Sequence, residues 1–317
     1  MDTNKVILVT GGYGFIGSNY INYIYEKYTN FFIINLDKMS YCSNIESIPE
    51  NIKSDVNRYK HYACDITDYA SLESIFINNK IDTVVHFAAQ THVDNSFLWP
   101  LEFTKDNVLG THNLIECCRL HKINKFIHIS TDEVYGDIEH NETCYENSQL
   151  NPTNPYSATK ACAEMLINSY IYSYKFPAII IRGNNVYGNF QYPEKLIPRF
   201  IKLLKEGKKL TIHGDGSSRR NFIHTYDFCT GIDTVFQKGK LGEIYNIGTQ
   251  NEYNVIEIAS QLVEIVQKSQ SGEYFEYVED RLYNDSRYSI NCDKLLALGW
   301  KPIINFKESL EKLVASY

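Results

Sequence analysis

Three features of the 317-residue sequence predict an α/β fold with a doubly wound parallel sheet and a smaller C-terminal α/β substrate lobe. Short β-branched or aromatic runs alternate with amphipathic stretches, a glycine-rich segment follows the first run at once, and an aspartate ends the second. Such alternation puts helices on both faces of a parallel sheet, and the ligand site then lies beyond the carboxyl ends of the strands.

The strands are expected near 5–10, 31–36, 59–64, 82–87, 125–130 and 177–182, with helical patterns between several of them. Beyond about Arg182 the pattern loosens into helices near 193–206, 254–268 and 306–315 and short strands near 210–213 and 244–247. The expected division is 1–186 for the first domain and 187–317 for the second lobe. The segment Asn221 to Phe236 reads as a strand then a helix that returns to the first sheet, so the boundary is not a single cut. No internal repeat or low-complexity tract interrupts the chain.

Composition narrows the function classes. Hydrophobic residues make up 44% and charged residues 22%, with 17 glycines and 8 prolines, which fits a globular protein and excludes fibrous and low-complexity classes. A net charge of -7 argues against nucleic acid or an anionic membrane as partner, so an acidic ligand needs a local basic pocket. The longest apolar runs, such as Val6–Val9 and Ala178–Ile181, fall far short of the roughly 20 residues that span a bilayer. Met1 to Lys5 leads straight into a strand-like run without the apolar stretch of a signal peptide, and a cytoplasmic location is expected. Eight cysteines include no Cys-x-x-Cys, so reduced thiols and no metal site are expected.

Directly after the first strand stands Gly11-Gly12-Tyr13-Gly14-Phe15-Ile16-Gly17. Gly11, Gly14 and Gly17 allow a tight strand-to-helix turn, and with Phe15 and Ile16 they bring a pyrophosphate against the amides of a helix N-terminus. This is the Rossmann-type fingerprint. The second strand ends at Asp37, followed by Lys38, twenty residues beyond Gly17. A carboxylate there accepts from ribose hydroxyls and repels a 2′-phosphate, which favours NAD over NADP. A glycine turn with a surface aspartate is the weaker alternative. Asp65-Ile66 ends the third strand, where it could flank an adenine, although Asp65 could equally cap the next helix. Ala88 and Ala89 end the fourth strand and leave room for a cofactor, or simply pack.

Tyr156 and Lys160 stand four apart in Asn154-Pro-Tyr-Ser-Ala-Thr-Lys160 and share one helix face. A phenol of pKa about 10 becomes a base near neutrality only where a cation stabilises its phenolate. Lys160 can supply that cation. Tyr23 and Lys27 match the same spacing, but on the first helix past the glycine turn and remote from the crevice.

The glycine fingerprint, Asp37 and Tyr-x-x-x-Lys together resemble an extended short-chain dehydrogenase/reductase over nearly the whole chain. Within that family Ser130-Thr-Asp-Glu-Val-Tyr-Gly136 resembles the active-site segment of the nucleoside-diphosphate-glucose 4,6-dehydratases. The resemblance implies a catalytic group of Thr131, Asp132, Glu133, Tyr156 and Lys160. Tyr156 would take the sugar 4-hydroxyl proton while C4 gives hydride to NAD, Glu133 would remove the C5 proton, Asp132 would protonate the departing 6-hydroxyl, and Thr131 would hold the 4-hydroxyl.

It also carries His92, Asn185, Glu194 and Lys195 over as substrate residues, and Arg220, Asn246 and Arg281 as diphosphate and nucleotide contacts. Asn284 stands where bacterial relatives usually have His. Tyr41-Cys-Ser-Asn44, Gln90 to Ser96, Arg182 to Asn185 and His213 to Gly216 look more like the dehydratase portion of plant and fungal UDP-rhamnose synthases, which implies UDP-glucose as substrate. Alternatives are dTDP-glucose, an epimerase or decarboxylase on the same fold, and a non-catalytic NAD-binding scaffold. The stretches near 101–121 and 157–175 resemble the family's dimer helices and imply a homodimer.

Overall fold

The computed structural model describes residues 5–139, 142–267, 272–280, 283 and 285–317. The first half alternates as expected: β1 (Lys5–Thr10), α1 (Phe15–Lys27), β2 (Phe31–Asp37), α2 (Glu50–Lys53), β3 (Tyr59–Ala63), α3 (Tyr69–Asn78) and β4 (Thr83–His86). Next come α4 (Val93–Leu98), α5 (Pro100–Phe103), α6 (Gly110–Leu120), β5 (Lys125–Thr131), α7 (Pro155–Tyr174) and β6 (Ala178–Gly183). The remainder comprises β7 (Asn185–Tyr187), α8 (Leu196–Lys205), β8 (Leu210–His213), β9 (Arg219–His224), α9 (Thr225–Lys238), β10 (Ile244–Ile247), β11 (Glu252–Asn254), α10 (Val255–Gln267), β12 (Phe275–Val278), α11 (Asp293–Leu296) and α12 (Phe306–Ser316).

Seven strands form one sheet in the order β10-β6-β5-β4-β1-β2-β3, and every pairing in it is parallel. The strand order reverses between β1 and β4, which opens a crevice beyond their carboxyl ends. Both faces are dry. On one, Ile7, Val9, Ile127 and Ile179 pack with α1 and α9; on the other, Leu8, Val84, Phe126 and Ile180 pack with α3, α6 and α7. A third cluster, around Phe200, Ile258 and Leu310, is the core of the second lobe. Among the described residues no helix is long and apolar enough to cross a membrane.

Two expectations are corrected. The strand at 244–247 does not belong to the second lobe: β10 pairs with β6 and is the edge of the main sheet. The 221–236 segment returns to the first core but not to the first sheet, Ile223 of β9 packing there along with the helix. β9 stays in a small sheet with β7 and β11, and Phe228, Ile232 and Val235 of α9 enter the first core. Short isolated strands look alike in sequence, and the partner that buries them decides their sheet. The Tyr23/Lys27 pair is structural: Lys27 donates to Tyr23 Oη at 2.9 Å and to the buried Asp233 at 2.6 Å, tying α1 to α9.

Candidate active site

The glycine turn is shaped by close approach. Gly11 has φ +68°, and a Cβ there would lie 2.8 Å from the backbone of Ala88; one on Gly17 would lie 2.3 Å from the Gly11 carbonyl. The first amides of α1 carry no side-chain cap, since Gly14 is the N-cap, so they are available to an anion. Gly11, Gly14, Phe15, Ile16, Gly17 and Ala89 line the cleft, which continues into a groove walled by Asp37, Lys38, Asp65, Ile66 and Ala88.

Asp37 accepts from the amides of Tyr13 (3.0 Å) and Met39 (2.8 Å) and from Ser43 Oγ (2.8 Å). These donors fix its rotamer, and Oδ2 keeps an acceptor position for a ribose hydroxyl. Lys38 is bonded to Asp106 and lies 3.8 Å from Asp65, so it braces the groove wall. Asp65 accepts from the Thr67 amide at 2.8 Å, and the cap of α3 is Asp68 instead. Between α5 and α6 the helix widens to a π-helical stretch, Thr104–Leu109. That bulge turns Asp106 towards Lys38 and Gln90, and Asn107 towards the Gln90 backbone and Thr159. The residues present fit NAD: an uncapped helix start for the diphosphate and a carboxylate where NADP would carry its extra phosphate.

Tyr156 is the second residue of α7, whose N-terminus is set by Asn154 in a capping box with Ser157. Asn154 also donates from Nδ2 to Glu133 Oε2 at 3.2 Å, so one side chain starts the tyrosine helix and holds the glutamate. Asp132 to Tyr135 form a 3₁₀ turn directly after β5, and Thr131 caps it. Thr131, Glu133, Tyr156 and Lys160 all line the cleft. Asp132 lies beneath them, 2% exposed, with Asn184 Nδ2 donating to its Oδ2 at 2.8 Å.

Burial dominates the electrostatics here. It pushes the Asp132 carboxyl up to about 7, against the hydrogen bond from Asn184, and the neighbouring Glu133 charge adds to the rise. Glu133 is raised by burial too, opposed by the Arg220 charge. Burial raises the Tyr156 phenol, as do the two carboxylates, while a hydrogen bond with Thr131 lowers it. Burial brings Lys160 down to about 8. Its ammonium donates to the Ile129 carbonyl at 2.8 Å and lies 3.3 Å from His128 Nε2. A carboxyl that is half protonated near neutrality beside a second carboxylate is the arrangement acid–base elimination needs.

The second lobe closes the cleft from the other side. Asn185, Glu194, Lys195 and Arg220 line it together with His92. Lys195 donates to the Thr91 carbonyl at 3.0 Å, and His92 Nδ1 lies 4.0 Å from Glu194. Arg220 stacks its guanidinium 4.4 Å from the ring of Tyr288, and Tyr288 donates to the buried Asp285. Asn246 is not brought to the cleft. It is fully buried on β10, where it accepts from Tyr135 Oη at 2.8 Å and donates to the Asn291 carbonyl at 3.0 Å. That network also holds the buried ion pair of Arg182 with Glu164, so Asn246 is spent on packing. Arg281 and Asn284 lie outside the described residues.

Asn154, Asn184, Asp285 and Tyr288 were missed by sequence reasoning. Asn154 is signalled by Asn-Pro ahead of a helical pattern; Asn184, within Arg182 to Asn185, has no spacing that singles it out.

The model of the family described as GDP-mannose 4,6 dehydratase matches residues 8–313. The human dTDP-D-glucose 4,6-dehydratase is 46% identical over 99% of this chain and 90% of that protein. A trifunctional UDP-glucose 4,6-dehydratase/UDP-4-keto-6-deoxy-D-glucose 3,5-epimerase/UDP-4-keto-L-rhamnose-reductase of Arabidopsis thaliana is 44% identical over 99% of this chain and 47% of that protein. The crystal structure of dTDP-glucose 4,6-dehydratase from Bacillus anthracis in complex with NAD matches with a TM-score of 0.90 at 36% identity, covering 99% of this chain and 96% of that one. With the glycine cradle, Asp37 and the Thr-Asp-Glu turn facing Tyr156 in one cleft, this chain belongs to that family, as an NAD-dependent nucleoside-diphosphate-glucose 4,6-dehydratase of the extended short-chain dehydrogenase/reductase class.

Proposed function

We propose that the substrate is UDP-glucose and the product UDP-4-keto-6-deoxy-glucose. The observation that carries the chemistry is the pair of adjacent carboxyl groups next to Tyr156, Asp132 buried under the cleft lining and Glu133 half-buried within it. Held by the glycine turn and Asp37, NAD would supply the hydride acceptor for C4 and the hydride donor for C6. Tyr156 accepts the 4-hydroxyl proton, Thr131 orients that hydroxyl, and the ketone so formed acidifies C5. Glu133 removes the C5 proton and later gives it back, and Asp132 protonates the leaving 6-hydroxyl as water. Lys195 and Arg220 supply positive charge for the diphosphate in a chain whose net charge is -7.

The uridine reading rests on the four segments named above, among them Tyr41-Cys-Ser-Asn44 and Gln90 to Ser96. Tyr41, Cys42 and Gln90 to Asp94 line the cleft. Competing UDP-glucose and dTDP-glucose in one assay is the direct test. A higher kcat/KM for UDP-glucose is expected, and a preference for dTDP-glucose would replace the reading. We also propose a homodimer built on α5, α6 and α7. Leu101 is 80% exposed, Tyr172 79% and Met165 64%, which is apolar area a monomer would leave in water.

A further inference from the structure

The Glu133 role proposed above, on which this inference rests, needs that side chain to be held in one place. Glu133 sits on the short turn after β5, half-buried at the cleft, and Asn154 Nδ2 donates to its Oε2 at 3.2 Å. The other end of the same amide, Asn154 Oδ1, accepts from the Ser157 backbone at 2.9 Å. Asn154 precedes a proline and is extended, with φ -135° and ψ 162°. Where its side chain lies therefore follows from the residue before it.

That residue is Thr153, and it is tied to the other lobe. Thr153 Oγ1 lies 2.7 and 2.8 Å from the two oxygens of Asp285. Asp285 is 3% exposed, and the hydroxyl of Tyr288 donates to it as well. A carboxylate this buried is costly unless donors meet it, and these two hydroxyls do so. The Arg220 guanidinium stacks 4.4 Å from the Tyr288 ring, so the cation proposed for the diphosphate stands at the far end of the same run.

The contact belongs to a wider seam. Residues 285–291 hang on β9, where the Arg219 amide donates to the Ser286 carbonyl at 2.8 Å. Asp137 accepts from the amides of Ser286 (2.9 Å) and Arg287 (3.0 Å), and the Cys144 amide donates to the Ser289 carbonyl at 2.9 Å. The connection from the Thr-Asp-Glu turn to α7 is thus pinned to the second lobe near both its ends. The pin next to the base is Thr153 on Asp285. Charge acts in the same sense: burial raises the Glu133 carboxyl, Arg220 opposes it, and the Asp285 charge adds to the rise.

We infer that Thr153 and Asp285 form a clamp between the lobes that positions Glu133 for the C5 proton, acting through Asn154. Asn154 and Asp285 line the cleft, and Thr153 is not among the lining residues. Changing Thr153 therefore releases the clamp without removing a contact to substrate or cofactor.

Pre-steady-state kinetics of the holoenzyme, with the better of the two nucleotide sugars, test this. They separate C4 oxidation, read as NADH absorbance, from C5 exchange, read as deuterium taken up from solvent. Thr153→Val, which keeps shape and removes the hydroxyl, is expected to leave KM and the oxidation rate within about twofold and to slow C5 exchange and kcat by about tenfold to a hundredfold. Thr153→Ser should restore both. Asp285→Asn should also slow C5 exchange, and adding Thr153→Val to it should cost no more than the slower single change, because the two act as one unit. Removing the Asp285 charge should shift the acid limb of C5 exchange to lower pH, whereas Thr153→Val leaves that limb in place.

Equal slowing of oxidation and C5 exchange in Thr153→Val, or additive effects in the double variant, would overturn the positioning role and leave the contact as packing between lobes. Unchanged C5 exchange would overturn it too. Should Thr153→Val not fold, the same split between oxidation and exchange in Asp285→Asn decides. Failure of the underlying role reads differently, as C5 exchange at the wild-type rate in Glu133→Gln.

Discussion

At the scale of single residues, the two adjacent carboxyl groups are set apart by their partners. Asp132 receives a neutral amide donor from Asn184 and sits under the cleft; Glu133 receives Asn154, feels Arg220 and faces the cleft. Glu133→Gln keeps size and hydrogen bonding but accepts no C5 proton. Oxidation at C4 should continue and elimination stall, so reduced cofactor should accumulate on the enzyme and solvent deuterium should not enter C5; stopped-flow absorbance and mass spectrometry report the two.

Asp132 also makes a stability prediction. Its folded-state pKa, about 7, exceeds the unfolded value near 3.9, so the native state binds the extra proton between them. Its contribution is favourable below about pH 4 and lost as pH rises through 7. Asp132→Asn should therefore be more stable than wild type at pH 8, by roughly 2–4 kcal/mol at about 1.4 kcal/mol per unit, and similar to it near pH 4. Urea unfolding at both pH values measures this.

At the scale of elements, the site depends on where three segments end. β5 runs into the Asp132–Tyr135 turn, α7 starts after Asn154, and the π-helical stretch between α5 and α6 points Asp106 at the cofactor groove and Asn107 at the Gln90 backbone and Thr159. Asn154 belongs to two of these features at once. Asn154→Ala should cost about 1 kcal/mol in unfolding free energy for the lost cap. It should also lower kcat, because Glu133 loses its orienting donor. Asn154→Asp, which caps equally well, should recover the stability but not the rate, since a second carboxylate then faces Glu133. Thermal melts and steady-state kinetics on the two variants separate the effects.

At the scale of the whole molecule, the cleft lies between two lobes that the chain crosses more than once. α9 and β10 return to the first core after β9 has joined the second lobe, so the two halves are stitched rather than linked. The exposed apolar face of α5, α6 and α7 bears on assembly. Replacing Leu101 and Tyr172 together by Glu should leave a monomer by light scattering at micromolar concentration if that face is the dimer contact. A dimer that survives both changes would put the contact elsewhere.

The local, contiguous signals were legible in the sequence: the first six strands, the glycine cradle, the carboxylate ending β2, the Tyr156/Lys160 helix face and the Thr-Asp-Glu turn. Each is encoded by neighbours along the chain, through strand periodicity, backbone sterics or the 3.6-residue turn. Only the tertiary structure decided the rest. It moved the strand at 244–247 into the main sheet, took Asn246 out of the cleft, set Asp132 beneath the lining instead of in it, and brought Asn154 and Asn184 onto the two carboxyl groups. Those outcomes depend on which distant segments supply burial and hydrogen-bond partners. The spacing of residues along one segment does not encode them.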